Sequence, residues 1–154
     1  MKTSFITKIK FLFGIKESTV YRSYRPSVSV MIPAFNEENT ISETITSVQK
    51  QTYPISEILV VDDASIDGTG DVARSFGVSV VRTPKNTGSK SRAQNYGYKF
   101  ILSELFVTID ADTILAADAI EKLVPMLADG KTLSACGFVV PARTRTFWER
   151  GRLI

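Results

Sequence analysis

Glu57-Ile58-Leu59-Val60-Val61-Asp62-Asp63 reads as an apolar strand that runs straight into two acids. The same arrangement recurs on both sides of it. Upstream, residues 27–32 (SVSVMI) form an expected strand followed by Pro33-Ala34-Phe35. Asn36 then supplies a good N-cap for a helix expected over about residues 37–51, on which Ile41, Ile45 and Val48 recur at helical spacing before Tyr53-Pro54 stops it. Downstream, Asp67-Gly68 marks a turn, residues 69–76 fit a short helix and residues 78–82 a third strand. Residues 83–88 form a loop, Ser89 caps a helix expected to reach about Ser103, and residues 105–109 make a fourth strand ending on Asp110-Ala111-Asp112. Residues 116–127 are helical in pattern with Pro125 as a kink or stop, and residues 133–140 read as a fifth strand.

Strands and helices alternating in this way need crossover connections, which implies a three-layer α/β/α fold with a largely parallel, Rossmann-like sheet. Such crossovers are right-handed, and ligands of such sheets bind beyond the carboxyl ends of the strands. The polar residues sit there: Pro33 to Glu37 after the first strand, Asp62-Asp63 after the second, the loop from Lys85 to Lys90 after the third, and Asp110 to Asp112 after the fourth.

Composition narrows the chemistry. The 154 residues suit one domain able to bury its own core, and they contain no histidine, which excludes Ser-His-Asp hydrolysis and His-ligated zinc. The single cysteine, Cys136, cannot form an intrachain bridge and points to a reducing, cytoplasmic compartment. The net charge of +3 is unevenly spread: residues 1–26 and 141–154 are basic, whereas 27–140 are acidic. Basic ends argue for contact with an anionic lipid surface or plain solvation, and against a nucleic-acid groove. No apolar run approaches the ~20 residues of a membrane-spanning helix. At the start, Phe5, Ile9, Leu12 and Phe13 share one helical face, so an interfacial helix or a locally packed arm are both open. The division expected is a basic amphipathic arm (1–26), one α/β domain (27–141) and a basic aromatic tail (142–154).

The crevice carries acids, not a glycine cradle. Neither G-x-G-x-x-G nor G-x-x-x-x-G-K-[ST] occurs, which disfavours a dinucleotide site and a P-loop. Asp110 and Asp112 are two apart after a strand, so in extended backbone they project to the same side and can share a cation or divide a cation and a sugar hydroxyl. Hard oxygen ligands select Mg²⁺ or Mn²⁺, commonly with substrate phosphates completing the shell. A solvated turn is the plain alternative. Of Asp62 and Asp63, one is expected to close the turn and the other to accept a hydrogen bond from a base imide.

The segments PAFNEENTI, VVDDASIDGT, N86-T-G-S-K-S-R-A-Q-N-Y-G97 and TIDADT, in this order and spacing, resemble family 2 glycosyltransferases of the GT-A fold over residues 27–141. The resemblance implies that Pro33, Ala34 and Glu37 line a uridine site and that Asp63, with Asp62 beside it, recognises the base. Lys90 would lie near the ribose or diphosphate, with Asn95 and Gly97 supporting the helix start. Asp112 would bind the divalent metal, and Asp110 would be shared between it and the ribose or sugar. The implied reaction is transfer of a sugar from a nucleotide-diphosphate donor, UDP-linked by resemblance, to an unidentified acceptor hydroxyl in cell-surface polysaccharide or glycolipid synthesis, at the cytoplasmic face of a membrane.

The sequence departs from that family after the D-x-D. No E-D or T-E-D general-base motif and no Q-x-x-R-W follow, and the later acids Asp118, Glu121, Asp129 and Glu149 match neither. No catalytic residue is therefore assigned, and the domain is expected to be incomplete at its C-terminal side: the front part of a longer transferase or a donor-binding relative. A non-catalytic nucleotide-sugar-binding module is the second reading. A nucleotidyltransferase is a third, demoted because PAFNEEN lacks a Gly-rich basic loop.

Overall fold

The first strand, β1 (Val28–Ala34), is buried along its whole length, and β2 (Glu57–Asp62) is buried from Leu59 onward, as befits the centre of a sheet covered on both faces. This computed structural model describes residues 24–137. Two further strands, β3 (Ser79–Arg82) and β4 (Leu105–Thr108), complete a four-stranded sheet in the order β3-β2-β1-β4, with every pairing parallel. The helices between them are α1 (Ile41–Gln49), α2 (Thr69–Ser75) and α3 (Lys90–Tyr98). After β4 come α4 (Ala119–Leu123) and a 3-10 turn at Val124–Leu127, with Pro125 as its second residue where the sequence pattern expects a kink or stop.

The two-residue period of the strands sorts their side chains into two cores. Val28, Val30, Ile32 and Ala34 pack with Ile41, Ile45 and Val48 of α1, Ala73 of α2 and Ile120 of α4. Met31, Leu59 and Val61 point the other way, onto Ala93 of α3. The three-layer α/β/α reading therefore holds. Gly97 makes the second core thin: a Cβ there would lie 2.4 Å from Val61 Cγ2 and 3.2 Å from Met31 Sδ, so only glycine lets α3 sit this close.

Three expected elements differ. The helix after β1 begins at Ile41 with Thr40 as its N-cap, not at Glu37, because Asn36 sits in the left-handed region (φ 56°) and spends its side chain on another loop. The helix after Ser89 ends at Tyr98 instead of Ser103; Phe100 and Ile101 donate to the carbonyls of Gly97 and Tyr98 in tightening turns that swing the chain back toward β4. Asn95 and Gly97 accordingly belong to the middle and the last turn of α3, not to its start. Residues 133–137 of the expected fifth strand lie in neither helix nor strand, with Leu133 almost fully exposed, and residues 138–140 fall outside the described part. The expected interfacial helix near the start and the aromatic tail also lie outside it. Among the described residues no helix is long and apolar enough to cross a membrane.

Candidate functional site

All four strands end on the same side of the sheet, and the loops that leave them there are laced together. The turn after β1 and the turn after β2 form one unit: the Asn36 N–H donates to Ser65 Oγ (3.1 Å), Ile66 N–H to Asn36 Oδ1 (2.9 Å), Glu37 N–H to Thr69 Oγ1 (2.8 Å) and Gly68 N–H to Glu38 Oε2 (3.0 Å). Asp67 joins them by accepting from Glu38 N–H (3.2 Å), and the Thr69 hydroxyl that donates to it holds its carboxyl below the usual carboxylate range. Glu37 presents a half-buried carboxylate that accepts from Thr40 Oγ1 (2.6 Å). Pro33 and Ala34 are buried in the last turn of the β1 ladder, so they form the floor beneath this unit; the Ala34 carbonyl accepts from Asp63 N–H (2.8 Å).

The two adjacent acids separate cleanly. Asp62 is fully buried and pairs with Arg82, which stands opposite it in the β2–β3 register, while its Oδ1 accepts from Ser65 N–H (2.9 Å). Ala64 takes a left-handed φ of 58° to make that return possible. Gly70 comes so near that a Cβ would stand 2.8 Å from Asp62 Oδ2. These partners assign Asp62 the turn-closing part and leave it no face for a ligand. Asp63 turns to the β3–α3 loop instead: Thr83 Oγ1 (2.9 Å), Thr87 N–H (3.0 Å) and Thr87 Oγ1 (2.8 Å) surround its carboxylate, and Asn86 Nδ2 donates to its carbonyl (3.2 Å).

Beyond β4 the backbone stays extended for one more rung, Ile109 N–H donating to the Met31 carbonyl (3.1 Å). Burial then alternates, Ile109 (7% exposed) and Ala111 (4%) being buried and Asp110 and Asp112 exposed, but the extended backbone expected across the acid pair gives way to a turn in which Thr113 N–H donates to the Asp110 carbonyl (3.1 Å). Thr44 of α1 anchors the segment from below by donating to the Ala111 carbonyl (2.8 Å). Lys90, the first residue of α3, pairs with Asp110. Both side chains are about half exposed, and a solvated pair of this kind contributes only about 0–1 kcal/mol, so a cation or a phosphate can exchange with either partner.

Among the described residues no cluster of three or more Cys, Asp or Glu side chains is assembled to hold a metal. Two exposed carboxylates within one turn are nevertheless what Mg²⁺ or Mn²⁺ uses when phosphate oxygens and water supply the rest of its shell, so the chemistry of the donor set fits such an ion. A surface groove of about 490 Å³ along α1, lined by Ser42, Thr46, Lys50, Phe76, Ile114 and Leu115, contains none of these acids.

Comparison with known proteins decides the family. The sequence pattern described as Glycosyl transferase family 2 matches residues 29–154. This chain belongs to glycosyl transferase family 2. An N-acetylglucosaminyltransferase of Bradyrhizobium elkanii is 34% identical over 131 residues, covering 80% of this family 2 chain and 71% of the relative. Among solved structures, the mannosyltransferase PcManGT from Pyrobaculum calidifontis, in complex with GDP-Man and Mn²⁺, is 29% identical with a TM-score of 0.68, over 80% of this chain and 39% of that one. S. aureus TarS, solved with UDP, is 26% identical with a TM-score of 0.59, over 62% of this chain and 30% of that one. The chain thus spans well under half the length of these two solved chains, and the GT-A type of fold expected from the motifs is shown by the likeness to them.

Several residues that hold these loops together were not singled out from the sequence. Arg82 carried a faint signal, a cation ending a valine strand just as Asp62 ends its neighbour. Thr83 and Thr87 carried none, since threonines in a polar loop have no periodicity to betray a shared partner. Thr44 reads as an ordinary helix residue until the fold sets Ala111 above it.

Proposed function

We propose that this chain supplies the donor-binding part of a glycosyltransferase that takes a UDP-linked sugar and, with Mg²⁺ or Mn²⁺, transfers the sugar to an acceptor hydroxyl in cell-surface polysaccharide or glycolipid synthesis. The observation that carries this reading is that Asp110 and Asp112 are both exposed in the turn that leaves β4 at the carboxyl edge of the sheet. Asp112 and Asp110 would hold the ion, and a bound ion would neutralise charge developing on the departing diphosphate. Lys90, paired with Asp110 at the head of α3, would bind diphosphate or ribose oxygens. Asp63 faces the loop on which a base would rest, and Glu37 borders the neighbouring turn. The solved relatives that hold UDP, or GDP-Man with Mn²⁺, support a nucleotide-sugar donor and a divalent ion as the ligands. We assign the basic segments 1–26 and 142–154 contact with anionic lipid at the cytoplasmic face of a membrane.

A non-catalytic donor-binding module remains the second reading, and a specific observation favours keeping it. The acids that follow Asp112 within the described residues are all engaged: Asp118 with Lys122, Glu121 with Arg25, and Asp129 with the Thr132 hydroxyl and the Lys131 N–H. None of them stands free as a general base. Calorimetric titration of the full chain with UDP tests the shared part of both readings: binding should require Mn²⁺ and vanish with a chelator. Equal affinity with and without the metal would contradict it. Release of UDP from UDP-sugars in the presence of acceptor then separates transferase from module.

A further inference from the structure

Between α3 and β4 the chain turns through residues 99–104, and this turn carries an apolar surface away from the donor edge. Ile101 packs inward, on the core of Met31, Leu59 and Val61. The residues flanking it face out: Phe100 is 43% and Leu102 94% exposed. Tyr98 and Phe106, at the two ends of the turn, stack with ring centroids 5.6 Å apart and are exposed as well. Single exposed apolar side chains are ordinary, but four on and beside one turn mark a contact surface.

Charge decides what this surface meets. Between residues 92 and 109 the cations are Arg92 and Lys99, the second set between Tyr98 and Phe100, and the one acid is Glu104. Ser27 takes up that acid, its N–H (3.0 Å) and hydroxyl (3.2 Å) both donating to Glu104 Oε1, and the Ser27 carbonyl accepts from Leu105 N–H (3.0 Å). The chain therefore enters the fold beside this turn, and the residues that precede it are basic: residues 1–23 hold five Lys/Arg against one Glu. Cationic chain next to exposed aromatic and aliphatic side chains suits anionic headgroups over an acyl layer, where rings settle at the boundary and a lysine stem reaches past them to phosphate. Leu102, almost fully exposed, has no wall around it for a shaped protein partner to fit, but can enter a fluid lipid surface.

We propose that residues 98–106 form the face with which the protein lies on an anionic bilayer, Phe100 and Leu102 entering the headgroup boundary. The proposal rests on the reading that the basic segments touch anionic lipid, and adds which surface of the fold goes with them. It also gives the donor site a direction. The turn feeds the first residue of β4 and the acid pair follows the last, while the seven residues of β1 alongside span roughly 20 Å, so the Asp110–Asp112 edge stands about that far from the lipid.

Leu102 has a matched control in Ile66, an aliphatic residue 91% exposed in the loop after β2, at the opposite edge of the sheet. In the full chain carrying Cys136→Ser, which removes the native thiol, Leu102→Cys and Ile66→Cys are each labelled with a fluorophore and mixed with phosphatidylserine–phosphatidylcholine vesicles whose acyl chains bear a nitroxide quencher. The label at position 102 should be quenched and the label at position 66 should not. Leu102→Ser should weaken vesicle binding about tenfold and Ile66→Ser should leave it within about twofold, each with an unchanged circular dichroism spectrum. Vesicle binding with an unquenched label at 102, or with both labels quenched alike, overturns the proposal while the lipid reading stands, and so does a Leu102→Ser variant that binds as the wild type does. A wild-type chain that fails to sediment with the vesicles removes the lipid reading and this proposal together.

Discussion

Asp112→Ala is expected to weaken UDP binding in the presence of Mn²⁺ by on the order of a hundredfold, while leaving the thermal midpoint of the apo chain nearly unchanged. The two halves of this result have separate causes. Asp112 is exposed and has no side-chain partner among the hydrogen bonds and ion pairs of the described residues, so its removal deprives the fold of little. Losing even an outer-shell partner of a metal site costs about 10–100-fold in affinity, and a direct carboxylate ligand should cost at least the upper part of that range. Asp110→Ala should behave differently, because it also strands Lys90. A variant at Asp112 that binds UDP as wild type does, with the same metal requirement, would remove the acid pair from the site.

Gly97→Val is expected to have the largest effect on stability, lowering the melting temperature by roughly 6–12 °C, which corresponds to about 3 kcal/mol for a chain of this size. Helix propensity alone argues for replacing a glycine, since alanine in a helix is better by about 1 kcal/mol. Packing decides the other way. The first added carbon already lies 2.4 Å from a methyl of Val61, a residue that is fully buried in the central strand and paired on both sides by the sheet, so neither partner has room to retreat. Gly97→Ala should show a smaller loss of the same sign. An unchanged melting temperature for Gly97→Val would mean that α3 does not sit this close to β2.

How far such positions can be read from the chain depends on the kind of signal they leave. The apolar runs at 57–61 and 105–109 end on acids, and that contrast between a buried strand and charged residues is local, so both the parallel sheet and its polar edge were visible in the order of the residues. The shared exposure of Asp110 and Asp112 was expected from strand spacing, but a turn past the end of β4, in which Thr113 N–H donates to the Asp110 carbonyl, is what presents them. Asn36 misled for the opposite reason. As an isolated residue it is a good helix cap, but its side chain accepts from Ile66, thirty positions away, and the helix starts later. Likewise nothing in Asp62-Asp63 tells which acid turns inward; that follows from Arg82 standing opposite one of them and Thr83 and Thr87 enclosing the other. Residues whose role is to serve a distant partner stay silent until the loops are closed.

Crystals of the full chain grown with Mn²⁺ and UDP, measured at a wavelength where manganese scatters anomalously, would show the matter most directly. An anomalous peak within coordination distance of an Asp112 oxygen and of the diphosphate, with the uracil ring N–H directed at Asp63, is the expected result. Nucleotide bound elsewhere on the surface, or bound at this edge with no metal beside Asp112, would contradict it.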